Sequence, residues 1–304
     1  RSPKNLVWST QTSSTIGGPR LGSHSAMQFG ISTHLFHSDR LDRAHLVEVA
    51  ACGFDAIEIF ATLSHFDYRS PVAIDSLAEW LDDTRLKLHA IHAPITDSYT
   101  DGKWGRSFST AWNVTDQRSR AIEEIYAALE IAQKIETSFL VVHLGTPTRY
   151  ASDQDNDPDA AAKSLAELQA LTQPLGLQLA LEVVPNPLST ATALIKLLEE
   201  NTAPPNVGIC LDFGHAFLSG DLIEEIEVAS GYLLTTHLHD NLGTRDDHLV
   251  PFEGRIDWPS AMMTMRKVGY DGVLMLEVSG CGDWHDALRR AAHARARLTQ
   301  LSQG

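Results

Sequence analysis

Eight short apolar runs alternate with longer amphipathic stretches from Gln28 to the end of the chain, and that alternation limits the fold more than any other feature. The runs fall at 29–33, 56–60, 86–91, 139–143, 178–184, 207–211, 233–239 and 272–278. They are rich in Val, Ile and Leu and often apolar on both faces, as strands of a buried parallel sheet must be. Helical periodicity marks 41–51, 116–135, 159–172, 189–201, 259–268 and 284–301. In 116–135, for example, Ile122, Ile125, Tyr126, Leu129 and Ala132 share one face. Parallel strands joined by helices require right-handed crossovers. Eight such units in about 275 residues fit a closed (β/α)8 TIM barrel, an α/β fold in a single domain, better than an open doubly wound sheet. No Gly-x-Gly-x-x-Gly follows the first run, so a nucleotide cofactor is not expected.

The chemistry lies where the apolar runs stop. His34 follows the first run and Glu58 interrupts the second. His92 ends the third, His143 the fourth and Glu182 the fifth. Asp212 and His215 end the sixth, His237, His239 and Asp240 the seventh, and Glu277 the eighth. A buried carboxylate or imidazole costs several kcal/mol unless it is paired or bound to a metal. In a barrel the strand C-termini share one rim, so these residues are expected to meet there. Several carboxylates brought together need a counter-charge, which a divalent cation supplies. The donors are oxygen and nitrogen without sulfur, which suits Mn²⁺, Mg²⁺, Co²⁺, Fe²⁺ or Zn²⁺. The minimal ligand set is Glu182, Asp212, His237 and Glu277, each from a different β/α unit. His239 competes with His237 for its place, since the two lie on the same strand face. The polar segments 97–113, 146–157 and 241–255 each follow a strand and are expected to line the active face. Within them Trp104, Phe108 and Trp112 are candidate aromatic walls, and Arg149 and Arg245 are candidate anion contacts.

These residues, taken in order, resemble the xylose-isomerase-like barrel superfamily, which holds sugar isomerases and epimerases together with apurinic-site nucleases of the endonuclease IV type. The resemblance runs from Met27 to Leu301. It rests on Glu182, the Asp-x-x-His of Asp212 and His215, the His-x-x-Asp of His237 and Asp240, Glu277, and the Gly-x-Ile-Asp-Trp element from Gly254 to Trp258. It implies a divalent metal held by Glu182, Asp212, His237 and Glu277. It also implies that Glu182 and Glu277 act as an acid/base pair, with His215 on a substrate hydroxyl or carbonyl. The implied activity is isomerisation or epimerisation of a small sugar, sugar phosphate or polyol derivative through a metal-stabilised enediolate. The segment Val183-Val184-Pro185-Asn186 lacks the Arg that several ketohexose epimerases carry after their first glutamate. The nuclease branch adds further metal ligands, for which His92, His143, Asp246 and His248 are candidates here. A metal-dependent hydrolase, lyase or phosphodiesterase with a multinuclear zinc site therefore stays open, and so does a non-catalytic sugar-binding barrel. His34, His239, Arg245 and Trp112 join the list of possible metal or substrate contacts.

Composition narrows the partners. The net charge of −15 repels a phosphate backbone at long range, which argues against nucleic acid. Cys52, Cys210 and Cys281 are odd in number and widely spaced, so neither a disulfide framework nor a thiolate zinc site is indicated and a reducing cytoplasmic setting is expected. No apolar run approaches the length of a membrane span. A homo-oligomer is compatible with such a barrel. Residues 1–26 are rich in Ser, Thr, Gly and Pro and lack the apolar run of a signal peptide. Met27 is read as a candidate native start, with Gly22-Ser23-His24 resembling a cloning remnant, and a natural flexible extension is the alternative. The barrel is expected over 27–304.

Overall fold

The computed structural model describes residues 27–201, 206–280 and 282–303. The leader 1–26 and Cys281 lie outside the described residues. Eight parallel strands form the wall: β1 (Phe29–Ser32), β2 (Ala56–Phe60), β3 (Lys87–His92), β4 (Phe139–Val142), β5 (Gln178–Glu182), β6 (Val207–Asp212), β7 (Leu233–Leu238) and β8 (Leu274–Leu276). They pair in sequence order, and β1 pairs with β8 through Phe29↔Leu274 and Ile31↔Leu276, which closes the barrel. Closure explains the all-apolar runs: Phe139–Val142 and Val207–Asp212 are buried along their whole length.

Each strand is followed by helix, and the starts are chemically marked. Asp42 caps Arg43–Ala51, Asp157 caps Pro158–Thr172, and Thr190 caps Ala191–Glu200. Each side chain accepts from backbone N–H groups that have no partner within the helix. The acidic run before residue 158 thus ends in a cap. Two readings of the sequence shift. The stretch 116–135 is two helices, Thr115–Ala128 and Glu130–Lys134, because the Leu129 N–H is shared between the Ile125 and Tyr126 carbonyls and tightens that turn. The helix Pro71–Thr84 was not read. It carries the start signal Ser70-Pro71 and a buried stripe of Ile74, Leu77 and Leu81. Its end has no glycine, since Arg85 takes the left-handed conformation at φ 60°.

The barrel interior is built in layers. Ala90, Phe139, Val141, Ala180 and Cys210 form a small apolar cluster inside the wall. Side chains two apart on a strand point the same way. The register that turns Ala90, Val141, Ala180 and Cys210 inward therefore delivers His92, His143, Glu182 and Asp212 one layer higher, at the C-terminal rim. Above that rim, Tyr99–Thr100 and Lys103–Trp104 pair as a hairpin closed at Asp101-Gly102.

Candidate metal centre and cavity

Glu182, Asp212, His237 and Glu277 each present a donor atom, and these atoms lie within 4.8 Å of one another. Register explains the convergence. Asp212 pairs with His237 across β6 and β7, and Met275 pairs with His237 across β7 and β8, so Glu277 follows two residues on from a neighbour of His237. His237 Nδ1 stands 3.4 Å from Glu182 Oε2, 3.5 Å from Glu277 Oε2 and 3.9 Å from Asp212 Oδ2.

A cation fits these groups. Both oxygens of Glu182, Oδ2 of Asp212 and Nδ1 of His237 are buried without a hydrogen bond. Native interiors rarely leave such atoms unpartnered, and a divalent cation partners all of them at once. The imidazoles are also set up as ligands. His237 Nε2 donates to Glu58 Oε2 at 3.0 Å, which leaves Nδ1 with its lone pair toward the cluster. His92 Nδ1 donates to the Ala93 carbonyl at 2.9 Å, which turns its Nε2 toward Glu182 at 3.2 Å. His143 Nε2 stands 3.1 Å from the same carboxylate. Glu58 was read from the sequence only as a polar break in its strand. Its role as the acceptor that orients His237 depends on barrel closure and has no local sequence signal.

A second group adjoins the first. His215, His239, Asp246 and His248 place donor atoms within 4.8 Å of one another. Asp246 Oδ2 lies 3.0 Å from His215 Nε2 and 3.2 Å from His248 Nε2, while Oδ1 lies 3.6 Å from His239 Nε2. Each ring is fixed from behind, His215 by the Val183 carbonyl at 3.1 Å and His248 by the Glu277 carbonyl at 2.9 Å. His237 and His239, rivals in the sequence reading, thus separate: His237 joins the first group and His239 the second.

Local motifs have structural reasons too. Asp212 caps the helix Phe213–Ser219, and its Oδ1 accepts from the His215 N–H at 2.6 Å while Oδ2 stays free. The Asp-x-x-His spacing is therefore the spacing of a helix cap. Gly214 is required because a side chain there would overlap the His239 ring. Asp240 is not part of the chemistry. It accepts from Trp258 Nε1 at 2.8 Å and from the backbone of Asn241, Phe252 and Ile256, and so folds the Gly254–Trp258 element beneath the rim.

The electrostatics follow from crowding. Burial would push the Glu182 carboxyl up, but the charges of His143 and His237 hold it well below its usual range. Burial pulls His92 down, yet its close contact with Glu182 and the charges of Glu182, Glu277 and Glu58 raise it to about 9. His248 reaches about 10 against the same burial, through Asp246. His34 and His37 go the other way. Burial, reinforced for His34 by the charges of His248 and His37, lowers both, so they are neutral imidazoles.

The cluster opens on a cavity of about 460 Å³, within the usual range for small-molecule sites. His34, His92, His143, His215, Asp246, His248 and Glu277 line it, as do Tyr99, Trp104 and Phe108 from the 97–113 segment. Glu182 is fully buried beneath, so the two glutamates are not equivalent. Three candidates do not reach the cavity. Trp112 is not among its walls, because Ser109–Ala111 are anchored in the protein by Ser109 to Asp155 and Thr110 to the His143 carbonyl and the chain turns away there. Arg245 is mostly exposed and is held outward by Asp247 at 2.9 Å. Arg149 lies over the Tyr150 ring. His37 lines the cavity and was missed, although its placement three residues after His34 was a legible cue.

A family model described as a xylose isomerase-like TIM barrel matches residues 46–300. The chain belongs to this family. An uncharacterized protein of Methanocaldococcus jannaschii is 28% identical over 259 residues, 83% of each chain. An inosose isomerase of Bacillus velezensis is 24% identical over 236 residues, 74% of this chain and 79% of that one. Among solved structures, a D-tagatose 3-epimerase-like protein superposes with a TM-score of 0.74 at 26% identity, over 91% of this chain and 97% of the other. The IolI protein with a bound zinc atom superposes at 0.72 with 19% identity, over 90% and 98%. The proteins this chain resembles thus include some named as sugar isomerases and epimerases. No helix among the described residues is long and apolar enough to cross a membrane.

Proposed function

We propose that this chain is a divalent-cation-dependent isomerase or epimerase of a small polyhydroxylated carbonyl compound. The observation that carries the reading is the convergence of Glu182, Asp212, His237 and Glu277 with unpartnered donor atoms at the floor of a small-molecule cavity. The inosose isomerase and D-tagatose 3-epimerase-like relatives support it, and the zinc atom bound in the IolI structure supports a divalent cation.

When bound by Glu182, Asp212, His237 and Glu277, the cation would supply Lewis-acid stabilisation to negative charge on a substrate oxygen. The proton transfers belong to the chain. Glu277 reaches the cavity, and we assign to its carboxylate the removal of the proton from the carbon beside the carbonyl. Glu182 is the second carboxylate. It is buried, but His92 and His143 line the cavity and stand 3.2 and 3.1 Å from it, and His92, kept protonated by the carboxylates around it, returns a proton to the carbon while Glu277 keeps the one it removed. His215, oriented by Val183 and Asp246, contacts a substrate hydroxyl. The Tyr99–Trp104 hairpin shields the reacting carbon from water.

Metal-loaded protein incubated with inosose or D-tagatose in D₂O should place deuterium at the carbon beside the carbonyl, read by NMR. Glu277→Gln should abolish exchange while retaining most of the protein's fold. Absence of exchange across both substrates with cation bound would refute the reading.

One observation favours a second reading. The His215, His239, Asp246 and His248 group sits beside the first, as a multinuclear hydrolase or phosphodiesterase of the endonuclease IV type requires. Two or more tightly held metal atoms per chain, with hydrolysis of a phosphodiester such as bis(p-nitrophenyl) phosphate, would establish that alternative.

A further inference from the structure

We propose that the wall formed by His34, His37 and Trp104 is a recognition subsite for an uncharged polyhydroxylated ring, and that the cavity selects such a ring over its phosphorylated form. This narrows the isomerase reading above to one substrate class and rests on it.

The geometry fixes the chemistry of the wall. His34 Nδ1 faces the Val278 carbonyl at 3.3 Å, and His37 Nδ1 faces the His34 carbonyl at 2.7 Å. A carbonyl only accepts, so each ring carries its proton on Nδ1 and keeps a lone pair on Nε2. Both rings are more than nine-tenths buried and line the cavity, and neither Nε2 has a hydrogen-bond partner among the described residues. The rings are locked in a stack. His34 and His37 lie 4.8 Å apart at 19°, and Trp104 stacks on His37 at 5.1 Å and 22°. Tyr99 braces His37 edge-on at 4.5 Å. The wall therefore offers two oriented hydrogen-bond acceptors beside an indole that is 47% exposed. Hydroxyl groups supply the donors those acceptors need, and the C–H face of a ring covers an indole.

A phosphate group finds the opposite. It brings a charge of roughly −1.5 to −2 and oxygens that mainly accept. Among the described residues no Lys or Arg lines the cavity; the charged imidazoles that do, His92, His215 and His248, are each already faced by the carboxylates of Glu182 or Asp246. Lys103 and Arg106 flank Trp104 and Arg40 follows His37, but none of the three lines the cavity, and Arg40 donates to the Leu63 carbonyl at 2.6 Å.

The test is calorimetric titration of the metal-loaded full chain with D-tagatose and D-tagatose 6-phosphate, and with inosose and its phosphate monoester. At least one neutral compound should bind at least tenfold tighter than its phosphate. His37→Leu should weaken that binding about threefold to tenfold, the range for one lost neutral hydrogen bond, and His37→Asn, which restores an acceptor, should recover most of it. The inference is overturned if no neutral compound that binds does so more tightly than its phosphate, if His37→Leu changes affinity less than twofold, or if neither neutral compound binds. Deuterium exchange separates this from the isomerase reading. Neutral binding with the His37 dependence but without exchange removes the isomerase and keeps the subsite. Exchange on the phosphorylated compounds keeps the isomerase and removes the subsite.

Discussion

His237 can serve a cation only through an unprotonated Nδ1, and Glu58 is the group that enforces this. Its Oε2 accepts from His237 Nε2 at 3.0 Å, and the pair is shut away from solvent on β2 and β7. Glu58→Gln keeps the volume and removes the charge. Its amide can donate to Nε2, which moves the ring proton to Nδ1 and points it at Glu182, Asp212 and Glu277. Replacing such an outer partner of a metal-bound histidine typically weakens metal binding by about 10- to 100-fold. At 1.4 kcal/mol per decade that is about 1.4–2.8 kcal/mol. Competition between the protein and a fluorescent zinc chelator at pH 7.5 measures it, with thermal unfolding of the metal-free protein as the control for folding. Glu58→Leu, which removes the acceptor without offering a donor, should lose less affinity than Glu58→Gln. If Glu58→Gln binds zinc within twofold of the parent, the orientation argument fails, and His237 is not held as a ligand in this way.

Asp240→Ala should lower unfolding stability by about 3 kcal/mol or more, because buried donors from Asn241, Phe252, Ile256 and Trp258 lose their acceptor; metal affinity per folded molecule should hardly change, as denaturant titration and metal competition would report. Gly214→Ala should displace the His239 ring and weaken the His215, His239, Asp246 and His248 group while sparing the Glu182 group. Metal analysis after dialysis would detect a change in stoichiometry where two ions bind. Acid should destabilise the fold through His65, which is fully buried and, by burial, holds a pKa of about 4 against 6.5 unfolded. A depressed histidine contributes stability above the unfolded pKa and loses it as pH falls from 6.5 toward 4, by up to about 3 kcal/mol at 1.36 kcal/mol per unit. The stability difference between parent and His65→Asn should shrink across that window in urea melts at stepped pH.

The sequence made the barrel legible because its signal is repeated and local. Each strand is an apolar run closed by a polar residue, and each strand position follows from a period of two. His92, His143, Glu182 and Asp212 could be read as a rim because each lies two residues beyond an inward-facing small residue. Pairings across the barrel were not legible. Glu58 meets His237 across 179 positions of sequence, and nothing near either residue announces the contact. Loop residues were least readable. Trp112 and Arg245 looked like site residues by position in their segments, but their orientation is decided by the anchors Asp155 and Asp247. The motif Asp240 was legible as a landmark and opaque as to role, since a conserved-looking spacing does not say whether a carboxylate faces a ligand or a loop's backbone N–H groups.

The same crowding that invites a cation also sets protons against it. Glu58, Glu182, Asp212, Asp246 and Glu277 bring carboxylates into a space with little access to water, and their repulsion alone would oppose closure of the barrel. Imidazoles from other strands offset it by taking up protons, which is why His92 and His248 sit near 9 and 10 although burial pulls both down. Those protons occupy the lone pairs a cation needs. Cation binding therefore displaces protons, and its affinity must rise with pH through the neutral range. Protons and cation thus draw on the same side chains, and the imidazoles that offset the carboxylates are the ones that must give up their charge when a cation binds.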